Sequence, residues 1–314
     1  MATKQNHHPK STLRLRWRTI VPLLLLAVAF YVIVPRLASF RSSWSVVETA
    51  DTRLVVLAFL AVVSTNLTGA FVYWRLVNRP IAYWPMVLVQ AVSSFTNRLL
   101  PAGAGAMATS AAYLVKCGHS LPQASSIALL NNSMGFVGNV VLFGLVMMLS
   151  PAALGVHLPV VAPWMWLALL GVVTVGLITV LWWPRARRAL HESLTEARRV
   201  LRRPGHVLSA LLGSMLTTAC FAAALYTCAH AVAVPLTAVQ ALYVMTAGVA
   251  AGAITPVPGG LGGVEAGLVA AMVSVGVSPA PALAAALLYR LVSYWLPIIP
   301  GYMCFQIALK RRII

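Results

Sequence analysis

Carboxylates are scarce in this sequence: five Asp and Glu stand against 23 Lys and Arg in 314 residues, a net charge of +18. Charged residues make up only 9% of the chain, against roughly 25% in a soluble domain. With 60% hydrophobic residues and a mean hydropathy of +0.87, that shortage excludes an ordinary soluble fold. It predicts an all-α polytopic membrane protein, to which the usual estimate of domain number from length does not apply. Other signals are missing too. Cys117, Cys220, Cys228 and Cys304 form no CxxC pair and no metal spacing, so neither disulfides nor a metal site is expected. The seven histidines are scattered, and His191-Glu192 lacks the second His of a zinc helix. There is no Ser/His/Asp set, P-loop or paired-carboxylate site. GGLGGVEAG misses the G-x-G-x-x-G spacing and follows no strand. We therefore expect no enzyme activity and no cofactor.

What is present is a series of apolar spans. A basic tail over residues 1–18 precedes an apolar run at about 19–34. That run has the outline of a signal peptide, with RLAS at 36–39 as a cleavage site, but it is long enough to span with slight bilayer thinning and is taken as a first helix. Further spans are expected at about 54–74, 122–150, 160–183, 206–232 and 280–308. Two pairs of pieces, about 83–99 with 104–116 and about 237–255 with 261–275, are each interrupted by proline and glycine. Their members are too short for a crossing of roughly 20 residues, so each pair predicts a re-entrant hairpin. The linker at 184–205 carries seven arginines, with Leu190, Leu194, Ala197 and Leu201 at helical spacing. It predicts an amphipathic surface helix or a charged cytosolic linker.

The two broken segments match each other. Pro101-Ala-Gly103-Ala-Gly105 aligns with Pro258-Gly-Gly260-Leu-Gly262 at an offset of 157, and a one-residue shift aligns Gly118 with Gly276 and Asn132 with Arg290. Such internal repeats mark transporters. With the N-terminus in the cytosol and each hairpin returning to its side of entry, 18 basic residues lie inside and three outside, and Arg98 and Arg290 remain in the membrane. This positive-inside pattern also explains the basic excess without nucleic acid, since such residues set orientation and attract anionic lipid. The expected architecture is about six full transmembrane helices plus two re-entrant hairpins in inverted repeats. Repeat one covers about 50–150 and repeat two about 206–308, within one transmembrane domain at 19–308; both termini, including the tail at 309–314, are cytosolic.

The stretch from Ile254 to Arg290 concentrates the candidates. Glu265 and Arg290 sit in some of the most hydrophobic sequence of the chain, where a charge is expensive unless paired or functional. A proline-glycine break at membrane depth is tolerated only where it is buried in protein or lines a cavity. Arg290 suits a lipid phosphate, which a guanidinium binds through parallel hydrogen bonds, or else it pairs with Glu265. Glu265 lies in the first turn of a helix, where its charge is favoured, or it couples protons. Arg98 is a second phosphate contact or snorkels to the surface. Pro258, Gly259, Gly260, Gly262, Gly263, Gly103 and Gly105 expose helix-start N–H groups suited to an anion, or serve close packing. Asn132 reaches a headgroup or joins helices.

PGGLGGVEAGL, the Gly276-Val-Ser corner and ALAAALLYRLVSYWLPIIPGY strongly resemble the lysylphosphatidylglycerol-synthase transmembrane family of flippase-like proteins. The resemblance covers about residues 50–308 and is specific in the second half, where Pro258, Gly260, Gly262, Glu265, Arg290 and Tyr294 stand in pattern. It implies a bacterial inner-membrane lipid transporter, and it adds Tyr294 to the substrate-binding candidates. In the best-known relatives this module is fused to an aminoacyl-transfer domain, for which no room is expected before Ile314. After the first break the family commonly places an acidic residue and a nearby arginine; here Ala106 and Thr109 stand there. The resemblance implies as partner a membrane lipid with an anionic or zwitterionic headgroup. The alternative expectation is a non-transporting partner or scaffold of a lipid-modifying or glycosyltransferase enzyme.

Overall fold

A computed structural model describes residues 50–77, 79–99, 103–149, 195, 198, 202–254 and 258–314. The expected tail at 1–18, the helix at 19–34, the span at 160–183, Pro101 and most of the arginine linker lie outside the described residues. Among the described residues all regular structure is helical. A pattern of long, short, short, long occurs twice. The first set is α1 (Thr52–Leu76), α2 (Tyr83–Leu99), α3 (Ala104–Lys116) and α4 (Leu121–Leu149). The second is α5 (Pro204–Ala231), α6 (Ala238–Ile254), α7 (Gly263–Ser274) and α8 (Pro279–Arg290), which continues through a π turn (Leu291–Trp295) into α9 (Ile298–Lys310). Among the described residues four stretches are long and apolar enough to cross a membrane: Thr52–Leu76, Leu121–Leu145, Pro204–Ala231 and Pro279–Lys310. At 17 and 13 residues, α2 and α3 rise about 26 and 20 Å, short of a bilayer core of about 30 Å.

Local sequence sets these boundaries. Asp51 caps α1 by accepting the Arg53 N–H at 2.8 Å. Ser120 with Gln123, and Thr237 with Gln240, form reciprocal caps before α4 and α6. Pro204 and Pro279 occupy first helical turns, where the missing N–H costs nothing. α3 and α7 stop in the same way. Gly118 (φ +87°) and Gly276 (φ +93°) take the left-handed conformation, while His119 N–H reaches Leu114 O and Val277 N–H reaches Met272 O, a Schellman ending. The starts of α3 and α7 fall on Gly103 (φ +76°) and Gly262 (φ +86°). These are 159 residues apart, two more than the PAGAG–PGGLG alignment expects; in the second break a 3-10 turn, Pro258–Gly260, precedes the start of α7.

α1 and α5 form the central antiparallel pair. At one end the Asp51 N–H donates to Ala231 O (3.1 Å). Midway, Thr68 and Thr217 share a hydroxyl bond at 2.7 Å. At the other end Arg75 Nε donates to Ser209 Oγ (2.7 Å), and His206 Nδ1 lies 3.0 Å from Arg75 O. Two apolar cores flank this pair. One joins Ala58 and Val62 of α1 and Leu225 of α5 to Leu268 and Leu288. The other joins Leu76 of α1 and Ala210 of α5 to Met86, Leu114 and Ile127. The α2–α3 pair thus packs at one end of α1/α5, and α6–α7 at the opposite end. The first of these ends is basic: Arg79 donates to Gly118 O (2.6 Å) and Lys116 to Arg312 O (3.1 Å). Large apolar side chains, including Leu60, Phe136, Leu212 and Met303, are exposed around the bundle, as expected of surface meeting lipid tails.

Candidate functional site

The ends of the two short-helix pairs meet at the π turn. There the regular ladder is already broken: Leu296 N–H bonds five residues back to Leu291 O (2.8 Å). Pro297 has no N–H, so the carbonyl of Ser293, four residues earlier, has lost its ordinary donor. π turns of this kind recur at functional sites. From the end of α2, Arg98 Nη2 donates to Ser293 O at 2.8 Å and Nε to Tyr294 O at 2.7 Å, while Nη1 donates to Ser94 O in its own helix.

Arg290, the last residue of α8, forms the other half of the cluster. Its Nε donates to Glu265 Oε1 at 2.7 Å, and its Nη2 donates to Gly259 O at 3.0 Å. The second carboxylate oxygen of Glu265 accepts the Gly262 N–H at 2.7 Å. One acid therefore caps the start of α7 and pairs with the arginine at once. The Tyr294 ring lies 4.5 Å from the Arg290 guanidinium and 5.4 Å from that of Arg98, within cation–π range of both.

Gly259 closes the arrangement. Its φ is +66°, and a Cβ there would overlap the Tyr294 ring. Gly259→Ala combines about 1–2 kcal/mol of left-handed strain with overpacking of about 1–3 kcal/mol. We expect a clear fall in unfolding midpoint in detergent; an unchanged midpoint would mean that the tip does not contact Tyr294 as described.

The charge of this cluster does not close. Of the five acids, four lie at 48, 51, 192 and 196, so Glu265 is the one carboxylate in the described helical segments. Arg290 holds it, and Arg98 has no carboxylate of its own among the described residues, its three donors going to carbonyls, which leaves one net positive charge. Arg290 is only 8% exposed, and among the described residues its Nη1 has no hydrogen-bond acceptor.

With this geometry in place, the match to known families has a physical meaning. The lysylphosphatidylglycerol synthase TM region matches residues 19–301. The chain belongs to that family. Among curated proteins none matches the chain. The lysylphosphatidylglycerol synthase TM region is a non-catalytic module, and membership, together with the membrane-length helices, makes this a multi-pass inner-membrane protein with a lipid-handling role.

Within the family frame, the expected site residues separate into two groups. Arg290, Glu265, Gly259, Gly262, Tyr294 and Arg98 come together. Gly260 and Gly263 hold the tip beside them, since a Cβ on Gly260 would lie 2.9 Å from Val264 Cγ2 and Gly263 opens α7. Pro258 begins the 3-10 turn. Gly103 caps α3, and Gly105 lets α3 press against the Thr96 carbonyl, which is a packing role. Asn132, aligned with Arg290, is instead exposed on α4. Between α2 and α3 this chain has a hydroxyl seam: Thr109 bonds Thr96 at 2.9 Å and Ser110 bonds Ser93 at 3.2 Å. Sequence reasoning missed the π turn and the demand it makes on Arg98. Pro297, placed four residues after Ser293, was the available signal.

Proposed function

We propose that this module carries a phosphate-bearing lipid, or a lipid-linked precursor, between the leaflets. The observation that carries the reading is the uncompensated positive charge at Arg98–Tyr294–Arg290–Glu265. A net charge in an apolar setting costs several kcal/mol unless a counter-ion meets it, and a lipid phosphate supplies one without bringing its tails out of the bilayer. Arg290 Nη1 is the donor placed for it, with the helix-start N–H groups near Gly259 and Gly262 adding partial positive charge.

The architecture of this reading has six crossings and two re-entrant hairpins, α2–α3 and α6–α7, in inverted repeats at about 50–150 and 206–308. Three observations support it: the short helices, the antiparallel α1/α5 pair with one hairpin at each end, and the meeting of both tips at Tyr294. The basic end, with Arg79, Lys116 and Arg312, is the cytosolic face by the positive-inside rule, which puts the C-terminus, and with an even number of crossings the N-terminus, in the cytosol. In inverted-repeat transporters the substrate site lies near the midplane where broken helices meet.

The test is reconstitution into vesicles that carry a head-group-labelled phospholipid and are challenged with an impermeant quencher. Transport predicts loss of the inner-leaflet signal well above that of protein-free vesicles, and a reduced rate for Arg290→Ala. A wild-type rate equal to that of empty vesicles removes the transport reading in favour of a non-transporting partner of a lipid-modifying enzyme.

A further inference from the structure

Arg98 has the residue type of a headgroup ligand but not the geometry. Each of its three nitrogens already donates to a backbone carbonyl: Ser94 O in α2, and Ser293 O and Tyr294 O some 195 residues away. The planar guanidinium fork suits two adjacent carbonyls of one turn. One of those carbonyls lost its helical donor to Pro297. We infer that Arg98 is a positioning residue. It substitutes for the N–H that Pro297 lacks, fixes the π turn, and so holds the Tyr294 ring against Arg290. It contributes charge to the cluster from behind the ring, and the headgroup phosphate meets Arg290 alone. This assignment rests on the lipid reading above for its functional consequence, but the 98–297 linkage stands on geometry.

The linkage makes an unusual pairing testable. If Arg98 works by replacing a missing N–H, restoring that N–H makes Arg98 less necessary. Arg98→Gln, Pro297→Ala and the double variant are purified in detergent, exposed to equal phosphatidylglycerol and phosphatidylcholine, and the retained ratio is measured by native mass spectrometry. Global destabilisation lowers retention of both lipids; mispositioning of Arg290 lowers the ratio. We expect Arg98→Gln to lower the ratio about tenfold, the effect of one unmet buried carbonyl. Pro297→Ala alone stays near wild type, and the double variant recovers part of the ratio lost in Arg98→Gln, short of wild type because one positive charge is still missing. If the double variant shows no recovery while Arg98→Lys keeps the wild-type ratio, Arg98 acts through its charge and the inference is wrong.

Should Arg98→Gln not yield folded protein, Arg98→Lys is paired with Pro297→Ala instead, with recovery supporting the inference and its absence overturning it. A wild type that does not enrich phosphatidylglycerol sinks the lipid reading, not the linkage. The linkage is then read from unfolding midpoints, where it predicts that the 98 and 297 substitutions are non-additive; strict additivity overturns it.

Discussion

Glu265→Ala is expected to destabilise the protein by about 3–5 kcal/mol, the range for leaving a buried charge without its partner. The loss falls on three interactions at once: the 2.7 Å bond to Arg290 Nε, the cap on Gly262 N–H, and the one carboxylate offsetting two guanidiniums. Arg290→Met should cost less, because the orphaned carboxylate keeps the Gly262 N–H and the favourable start of α7. The double variant Arg290→Met with Glu265→Gln should be more stable than Glu265→Ala, since no unpaired charge is left between the tip and α8. The three are compared by unfolding midpoint in detergent, with retained lipid measured by native mass spectrometry. If Glu265→Ala unfolds like the wild type, the pair is not what holds α7 to α8. If the double variant still enriches phosphate lipid, Arg290 is structural and the headgroup site lies elsewhere. The expected result is a stability largely recovered and a lipid preference lost, which separates the two roles of Arg290.

Much of this arrangement was legible because the chain punctuates itself with residues of narrow conformational meaning. The pieces expected at 83–99 and 104–116 have the observed bounds of α2 and α3, and the ends of the other described spans differ by one or two residues. Charges in apolar sequence were equally readable. Glu265 and Arg290 had no other counter-ion within reach in the sequence, and they pair across the Gly276 corner. The span expected to run unbroken over about 280–308 is instead interrupted by a π turn, because Pro297 and the tightly placed Tyr294 reshape the ladder there. Arg98 shows why the remainder was hidden. Phosphate contact and snorkelling were both open on composition, whereas two of its three hydrogen bonds run to carbonyls in another segment, Ser293 O and Tyr294 O, whose need depends on backbone geometry. The equivalence of Asn132 with Arg290 fails for a related reason: alignment assigns a register, but α4 turns that position outward. The hydroxyl seam between α2 and α3 pairs side chains that sequence marks only as small and polar.

The unclosed charge also predicts which phosphate the site prefers. One net positive charge is balanced by a monoanion, whereas a dianion leaves a net negative charge beside Glu265 at membrane depth. Taking a second phosphate charge out of water costs several kcal/mol, more than the roughly 3 kcal/mol that one net positive charge about 5 Å away returns at an effective dielectric of about 20, so at least a tenfold preference for the monoanion is expected. Phosphatidic acid tests this in one molecule, because a phosphate monoester takes its second charge near about pH 6. Retained phosphatidic acid, measured against phosphatidylglycerol in the same sample, should fall at least tenfold between pH 5 and pH 9. Phosphatidylglycerol is a monoanion at both values and corrects for any change in the protein itself. Arg98→Gln with Pro297→Ala, which removes one cation while keeping the turn, should steepen the fall further. A ratio that rises with pH would mean that the site gathers negative charge without limit, as an open basic surface does, and that Glu265 does not set its capacity.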